Sequence, residues 1–175
     1  MKIQKTKFKD LFVIQSERFI DNRGYFRELL LEKSIKKKLN FFVVSKSKKN
    51  VVRGLHFQLQ NPQGKYVSVI KGQIFDVAVD CRLKSKTFGK HFNILLDEKN
   101  CKSIYIPPGF AHGFLGMKKE NIVVYGCDNY RHKNSEAGIK WNDPKLKIKW
   151  PTKKPILSKK DKQNKNFDFY FNKDE

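Results

Sequence analysis

Two histidines in this chain stand beside residues that could give them chemistry. In VVRGLHFQ, Val51 to Gln58, a run that would bury Val52 and Leu55 as a strand carries Arg53 and His56 three residues apart, with Gly54 between them. An imidazole can take and return a proton near neutral pH, and a guanidinium fork suits phosphate oxygens. The ordinary alternative is a surface arginine and a hydrogen-bonded core histidine. Three is an odd spacing, so on a flat strand the two side chains would point to opposite faces. Both can serve one site only if Gly54 bends the backbone, as a bulge would. A further histidine, His112, lies in IPPGFAHGF, Ile106 to Phe114. His91, at a strand start, and His132, in a polar loop, read as surface residues.

The elements that must position these groups are mostly strands. From Lys65 onward the apolar residues alternate or run in short blocks: KYVSVIKG, QIFDVAVDCR, HFNILLDE, KSIYIPPG, GFLGM and NIVVYGCDNY, separated by Gly, Asn, Asp or Pro. That pattern predicts an all-β antiparallel sandwich or barrel. The one helical candidate is Leu29 to Leu39, a short amphipathic piece. There is no βαβ alternation and no GxGxxG or GxxxxGK, which argues against a doubly wound nucleotide-binding fold. With 175 residues, 39% of them apolar, the chain reads as a single domain over 1–175. Its C-terminal tail should return across that domain, because Phe167, Phe169, Tyr170 and Phe171 would otherwise be exposed.

Composition bounds the partners. There are 38 basic residues against 17 acidic ones, a net charge of +21, and this alone would favour a polyanion. Only six of the 38 are arginine, however, and lysine is commonly a scattered solvated charge. A general compositional bias is therefore preferred to nucleic-acid binding. Cys81, Cys101 and Cys127 are widely spaced and lack a CxxC pairing, so they read as reduced, buried thiols. No apolar window reaches membrane-span length and the N-terminus has no signal-peptide pattern, so a soluble cytoplasmic protein without membrane contact is expected.

The P-x-G-x-x-H of IPPGFAHGF resembles the second half of the cupin motif, in which a hairpin presents a histidine to the barrel interior. Metal-binding cupins add H-x-H and a carboxylate; here the matching segment offers only His56, with Gln58 two residues on. His56 and His112 are too few ligands for a tight metal site. The expected fold is a small cupin-like jelly roll with a few short helices, using neither metal nor cofactor.

A longer resemblance follows. The run VVRGLHFQLQNPQGKYVSVIKGQIFDVAVDCRLKSKTFGK, with DNRGYFRE, IPPGFAHGF and WNDPKLKIKWP, resembles the dTDP-4-dehydrorhamnose 3,5-epimerase family from about Asp21 to Asp161. The resemblance implies a homodimeric cupin that epimerises a nucleotide-linked 4-keto-6-deoxy sugar at the carbons flanking the ketone. Such chemistry needs a base, an oxyanion stabiliser and an acid. By resemblance His56 is the base, Asp161 the carboxylate that orients it, Lys65 the enolate stabiliser and Tyr125 the acid. Arg23 and Arg53 match diphosphate contacts, and Lys160 falls where a basic residue can join them. His112 matches a sugar contact, Gln58 lies on the same segment as the base, and Phe26 and Glu28 match residues near the nucleotide. The segment bearing Arg23, Phe26 and Glu28 is implied to be an N-terminal arm that crosses to the partner subunit. Tyr130 falls near the aromatic residue that stacks on the base, with Arg131 as the alternative.

One stretch departs from the family pattern. Where the family reads Q-x-N-x-S, this chain has Phe41, Phe42, Val43, Val44 and Ser45, so two amides are replaced by apolar side chains. That leaves a GDP-linked 6-deoxy-heptose as an alternative substrate, with inversion at one or both carbons. A non-catalytic nucleotide-sugar-binding cupin is the competing reading of another class.

Overall fold

The computed structural model describes residues 1–171. Among these described residues thirteen strands occur in chain order: β1 (Lys2–Lys5), β2 (Phe12–Gln15), β3 (Arg18–Asp21), β4 (Gly24–Arg27), β5 (Phe41–Ser47), β6 (Val52–Gln58), β7 (Lys65–Lys71), β8 (Gln73–Asp80), β9 (His91–Asp97), β10 (Lys102–Ile106), β11 (Phe110–Gly116), β12 (Asn121–Cys127) and β13 (Glu136–Gly138). They form a six-stranded sheet, β1-β2-β10-β7-β12-β5, facing a five-stranded sheet, β13-β6-β11-β8-β9, with β3 and β4 as a separate hairpin. Within these sheets the strands pair antiparallel, the arrangement of a jelly roll.

Period-two alternation divides the side chains between two environments. Val67, Val69, Ile74, Ala78, Phe110, Phe114 and Val123 point inward and form the barrel core with Phe8, Leu11 and Leu96. The opposite faces are also covered: Tyr66 and Tyr105 pack on Ile14, Ile35 and Leu39, while Leu55, Phe57, Val77 and Val79 pack on Leu146 and Phe167. Both faces of the central strands are thus buried, which explains why their apolar residues run in blocks as well as alternating.

The expected helix over Leu29 to Leu39 is reduced to one turn, α1 (Glu32–Ile35). Its N-cap, Leu31, offers no side-chain acceptor, and Lys36 turns into the left-handed region at φ 52°, ending the helix there. Glu32 then accepts a hydrogen bond from the Leu39 backbone N–H, so the second half of the segment is held as a loop. The C-terminal tail returns as expected through α2 (Lys159–Lys162) and α3 (Phe167–Phe171). Phe167 is buried against Phe88, and Tyr170 and Phe171 pack on Phe57, whereas Phe169 remains exposed.

The β6–β11 ladder carries the bend anticipated at Gly54. His56 pairs with His112 and Arg53 with Phe114, so Gly54 and Leu55 together oppose Gly113. This two-against-one register is a bulge, and it turns an odd spacing into a shared face. Gly54 has φ +127°, and a Cβ there would stand 2.5 Å from the Gly113 Cα and 2.7 Å from the His112 carbonyl oxygen. Both the backbone conformation and the close approach exclude a side chain. Gly54→Ala is therefore expected to destabilise the fold by about 2 kcal/mol or more. Urea unfolding measures it; a midpoint indistinguishable from wild type would contradict the close approach.

Candidate active site

The bulge places Arg53 and His56 on one cavity. Two lobes, each of about 390 Å³, meet at a junction that both share: His56, Lys65, Tyr125 and Lys160. Arg53, His112 and Asp161 line the first lobe. Gln58, Arg131 and Glu136 line the second, together with Phe41 and Val43. Inward alternation explains the convergence: His56, Lys65, Asp76, His112 and Tyr125 occupy the same face of their strands as the apolar core residues.

His56 Nε2 lies 2.5 Å from Asp161 Oδ1. Asp161 is supplied by α2, where Ser158 caps the helix by accepting the Asp161 N–H at 3.0 Å, so the carboxylate sits in the first turn of a capped helix. Asp161 is buried while His56 keeps an accessible face toward the cavity. Burial alone would raise the Asp161 carboxyl, but the His56 hydrogen bond and charge, the Ser158 contact and Lys160 outweigh it and hold the group below the usual aspartate range. The resulting pair is an imidazole oriented by a carboxylate, with its other nitrogen free to work as a base.

Lys65 begins β7 and Tyr125 stands near the end of β12, both facing the same junction. Burial pushes the Lys65 ammonium below the ordinary lysine range, although Cys127, Asp76 and Glu136 oppose the shift. Burial likewise raises the Tyr125 phenol, assisted by Cys127 and opposed by Arg53, so the ring stays protonated. An ammonium and a phenol therefore border the space in front of His56. Arg53 is fastened across the sheets, donating from Nε to Ser47 Oγ at 2.9 Å and from Nη2 to the Lys46 carbonyl at 3.1 Å.

Four residues that sequence reasoning did not assign to the site also shape the cavity. Asp76, fully buried on β8, accepts from His112 Nε2 at 2.8 Å. Glu136 binds Arg131 and, at 2.7 Å, Lys160, tying β13 to the helix that carries Asp161. Phe41 and Val43, noticed only as replaced amides, face inward because they pair with Cys127 and Tyr125 of β12. The inward alternation of β8 was the signal that could have revealed Asp76; Glu136 sits on a three-residue strand with no comparable pattern.

The remaining expected residues stand elsewhere. Arg23, Phe26 and Glu28 lie on or beside the exposed β3–β4 hairpin and do not line this cavity; Arg23 is paired with Asp21 at 2.6 Å. Tyr130 is on the rim, its ring parallel to Phe41 at 5.9 Å, whereas Arg131 lines the second lobe. Gln58 reaches the wall, but its amide is engaged: it donates to Asn61 O at 2.6 Å and accepts from the His132 N–H at 2.9 Å. Among the described residues no group of three or more His, Cys, Asp or Glu side chains is placed to hold a metal, and no helix is long and apolar enough to cross a membrane. A larger open groove of about 1330 Å³ lies at the far ends of β7 and β12; it is walled by lysines, amides and carboxylates, and of the residues above it includes only Lys46 and Ser47, which hold Arg53.

An inward-facing histidine–carboxylate pair, a lysine and a tyrosine thus border one cavity of a jelly-roll barrel. Comparison with known proteins supplies the class, the epimerases of nucleotide sugars. The sequence model described as dTDP-4-dehydrorhamnose 3,5-epimerase matches residues 5–168, and the chain belongs to that family. It is similar to the dTDP-4-dehydrorhamnose 3,5-epimerase of Shigella flexneri, with 40% identity over 174 residues, covering 95% of this chain and 96% of the relative. The fold matches the crystal structure of dTDP-6-deoxy-D-glucose-3,5-epimerase from Legionella pneumophila in complex with dTDP-4-keto-L-rhamnose. That match has a TM-score of 0.92 and 38% identity, covering 97% of this chain and 94% of the other. The Bacillus anthracis dTDP-4-dehydrorhamnose 3,5-epimerase, solved with TDP and PPi bound, matches with a TM-score of 0.90 and 35% identity over 94% of this chain and 98% of the other.

The Glu136 carboxylate gives a measurable pH signature. Its hydrogen bond with Arg131 is the largest influence, and with Lys160 it overcomes partial burial to hold the group at about 2, against an ordinary value of 4.5. A folded-state value depressed in this way contributes stability that is full above about pH 4.5 and lost as pH falls toward 2. Glu136→Gln should therefore flatten the acid loss of stability across that window, read as urea midpoints at several pH values. Parallel wild-type and variant curves would show that the ion pairs contribute nothing.

Proposed function

We propose that the protein epimerises a dTDP-linked 4-keto-6-deoxy sugar at the carbons flanking its ketone. The observation that carries this reading is the His56–Asp161 pair facing Lys65 and Tyr125 across one cavity. His56 removes the proton from the carbon next to the ketone, and Asp161 stabilises the imidazolium that results. The electron pair moves onto the ketone oxygen, where the Lys65 ammonium meets the developing negative charge. Tyr125 delivers a proton to the opposite face of the same carbon, which inverts it, and the phenol is recharged from solvent. Arg53 and Lys160 serve the diphosphate, and His112 contacts the sugar. The nucleotide lies toward the second lobe, near Tyr130 and Arg131. Thymidine is preferred to guanosine because the similar proteins named above are dTDP-sugar enzymes by their names.

The same proposal includes a homodimer. Phe19, Ile20, Tyr25 and Phe26 leave large apolar surfaces exposed on the β3–β4 hairpin, and Phe42 and Val44 do so on the outer face of the edge strand β5. A second copy covers such surfaces without new sequence, and it would bring Arg23, Phe26 and Glu28 to a neighbouring cavity. The three cysteines are buried and unpaired, which fits a reducing cytoplasmic setting.

Incubation with a dTDP-4-keto-6-deoxy sugar in deuterated water is the deciding experiment: deuterium should enter at the carbons flanking the ketone. His56→Asn should lower that incorporation by about 10²-fold or more while retaining dTDP binding. Tyr125→Phe should lose inversion more severely than exchange, since His56 can still remove and return a proton on its own face. Wild-type protein that binds dTDP without exchanging hydrogen would support the non-catalytic cupin instead. For assembly, light scattering should give twice the 20.7 kDa chain mass. Replacing Phe19 and Phe26 by serine should shift the protein toward monomer and weaken dTDP binding together; a monomeric wild type would overturn the shared site.

A further inference from the structure

One wall of the second lobe is strand β5, whose alternation sets two rows of side chains. Phe41 and Val43 are half-buried and face the lobe, while Phe42 and Val44 are exposed on the outer side. Register fixes the inward pair: Val43 stands opposite Tyr125 on β12, and Phe41 stands opposite Cys127. Phe41 therefore lies two residues, about 7 Å, beyond the tyrosine along the strand. These are the positions of the two replaced amides, so this part of the wall offers a ligand no side-chain donor or acceptor.

Away from the junction, the polar side chains of the lobe are held by the protein itself. Gln58 donates to the Asn61 carbonyl and accepts from the His132 N–H. Gln63 donates to the Asn129 carbonyl at 2.6 Å, and Arg131 and Glu136 are paired with each other. A ligand edge that competed for these groups would exchange one hydrogen bond for another, with little net gain. What the lobe offers without such an exchange is an aromatic surface. The Tyr130 ring lies parallel to Phe41, within 3° and with centroids 5.9 Å apart, but it is exposed on the rim and does not line the lobe. It backs the Phe41 ring in an offset stack.

Building on the nucleotide-sugar reading, we infer that Phe41 is the residue by which this protein selects its nucleotide: the base packs on the Phe41 ring inside the lobe and is recognised by its face rather than by the hydrogen-bonding pattern of its edge. Tyr130 holds that ring in place from outside and contributes little contact of its own. Every pyrimidine presents a π-face, so recognition by stacking tolerates a change of edge. The two apolar replacements thus convert a wall that could read a base into one that carries it.

The test is calorimetric titration of the full chain with dTDP, dUDP, dCDP and inorganic pyrophosphate. Uracil and cytosine are alike in size but exchange a carbonyl acceptor for an amino donor on the base edge. The dissociation constants of dUDP and dCDP should therefore agree within about fivefold, whereas a site that hydrogen-bonds the edge separates such pairs by about 10²-fold or more. A gap wider than about fivefold overturns the inference. Phe41→Leu should weaken dTDP binding by about tenfold, the scale of losing one base–aromatic stack. It should leave pyrophosphate binding as in wild type, because only the base meets the ring. Tyr130→Leu should cost less than about threefold in dTDP affinity. An equal or greater loss in Tyr130→Leu, or a matching loss of pyrophosphate affinity in Phe41→Leu, overturns the assignment to Phe41. If Phe41→Leu does not fold, the dUDP and dCDP comparison decides the matter on the wild-type protein. Wild-type protein that binds pyrophosphate but none of the three nucleotides would sink the nucleotide-sugar reading, and the inference with it.

Discussion

Everything at the cavity depends on how closely the backbones of β6 and β11 approach at Gly54 and Gly113. A Cβ on Gly113 would stand 2.7 Å from the Arg53 carbonyl oxygen, as one on Gly54 would crowd Gly113. The contact is therefore reciprocal, and neither strand can carry a side chain at the crossing. Because two residues of β6 oppose one of β11, the strand changes phase there. Arg53 and His56 come to the same side, and His56 comes abreast of His112. Without that phase change the guanidinium and the imidazole would face different layers, and the cavity would have either a phosphate contact or a base.

The barrel was legible from the sequence where its strands are buried on both sides. From Lys65 to Cys127 the apolar blocks and their Gly, Asn and Pro punctuation correspond to β7 through β12. The N-terminal strands were harder to see: β1 is exposed along its whole length and β3 and β4 nearly so, leaving no inward face to impose a period. The helix expected over Leu29 to Leu39 had the right apolar spacing, but a lysine-rich second half with no helix-starting cap stopped after one turn. Periodicity reports a face that must be buried, and it does not report whether the ends of the element can be satisfied.

The site shows a similar division. His56, Arg53 and His112 stood out because a charged or titratable side chain in an apolar strand demands a reason. Lys65 and Asp161 did not, since lysines and tail carboxylates are abundant here, and only the family resemblance singled them out. Asp76 was hidden in QIFDVAVD, where two inward apolar neighbours make the strand look ordinary. Its place in the inward alternation of that strand was there to be read; the missing hydrogen-bond partner on its Oδ1, a property of three-dimensional packing, was not.

His56 and Asp161 are separated by 105 residues, and the carboxylate arrives on a four-residue helix docked late in the chain. Synthesis runs from the N-terminus, so β6 and every other barrel strand are made before the helix that completes the pair. Until Ser158 to Asn164 have been made, the histidine has no carboxylate to orient it. The same tail places Phe167 in the core beside Leu55 and Phe57, and domains generally fold as units, so the oriented base and the finished packing arrive together.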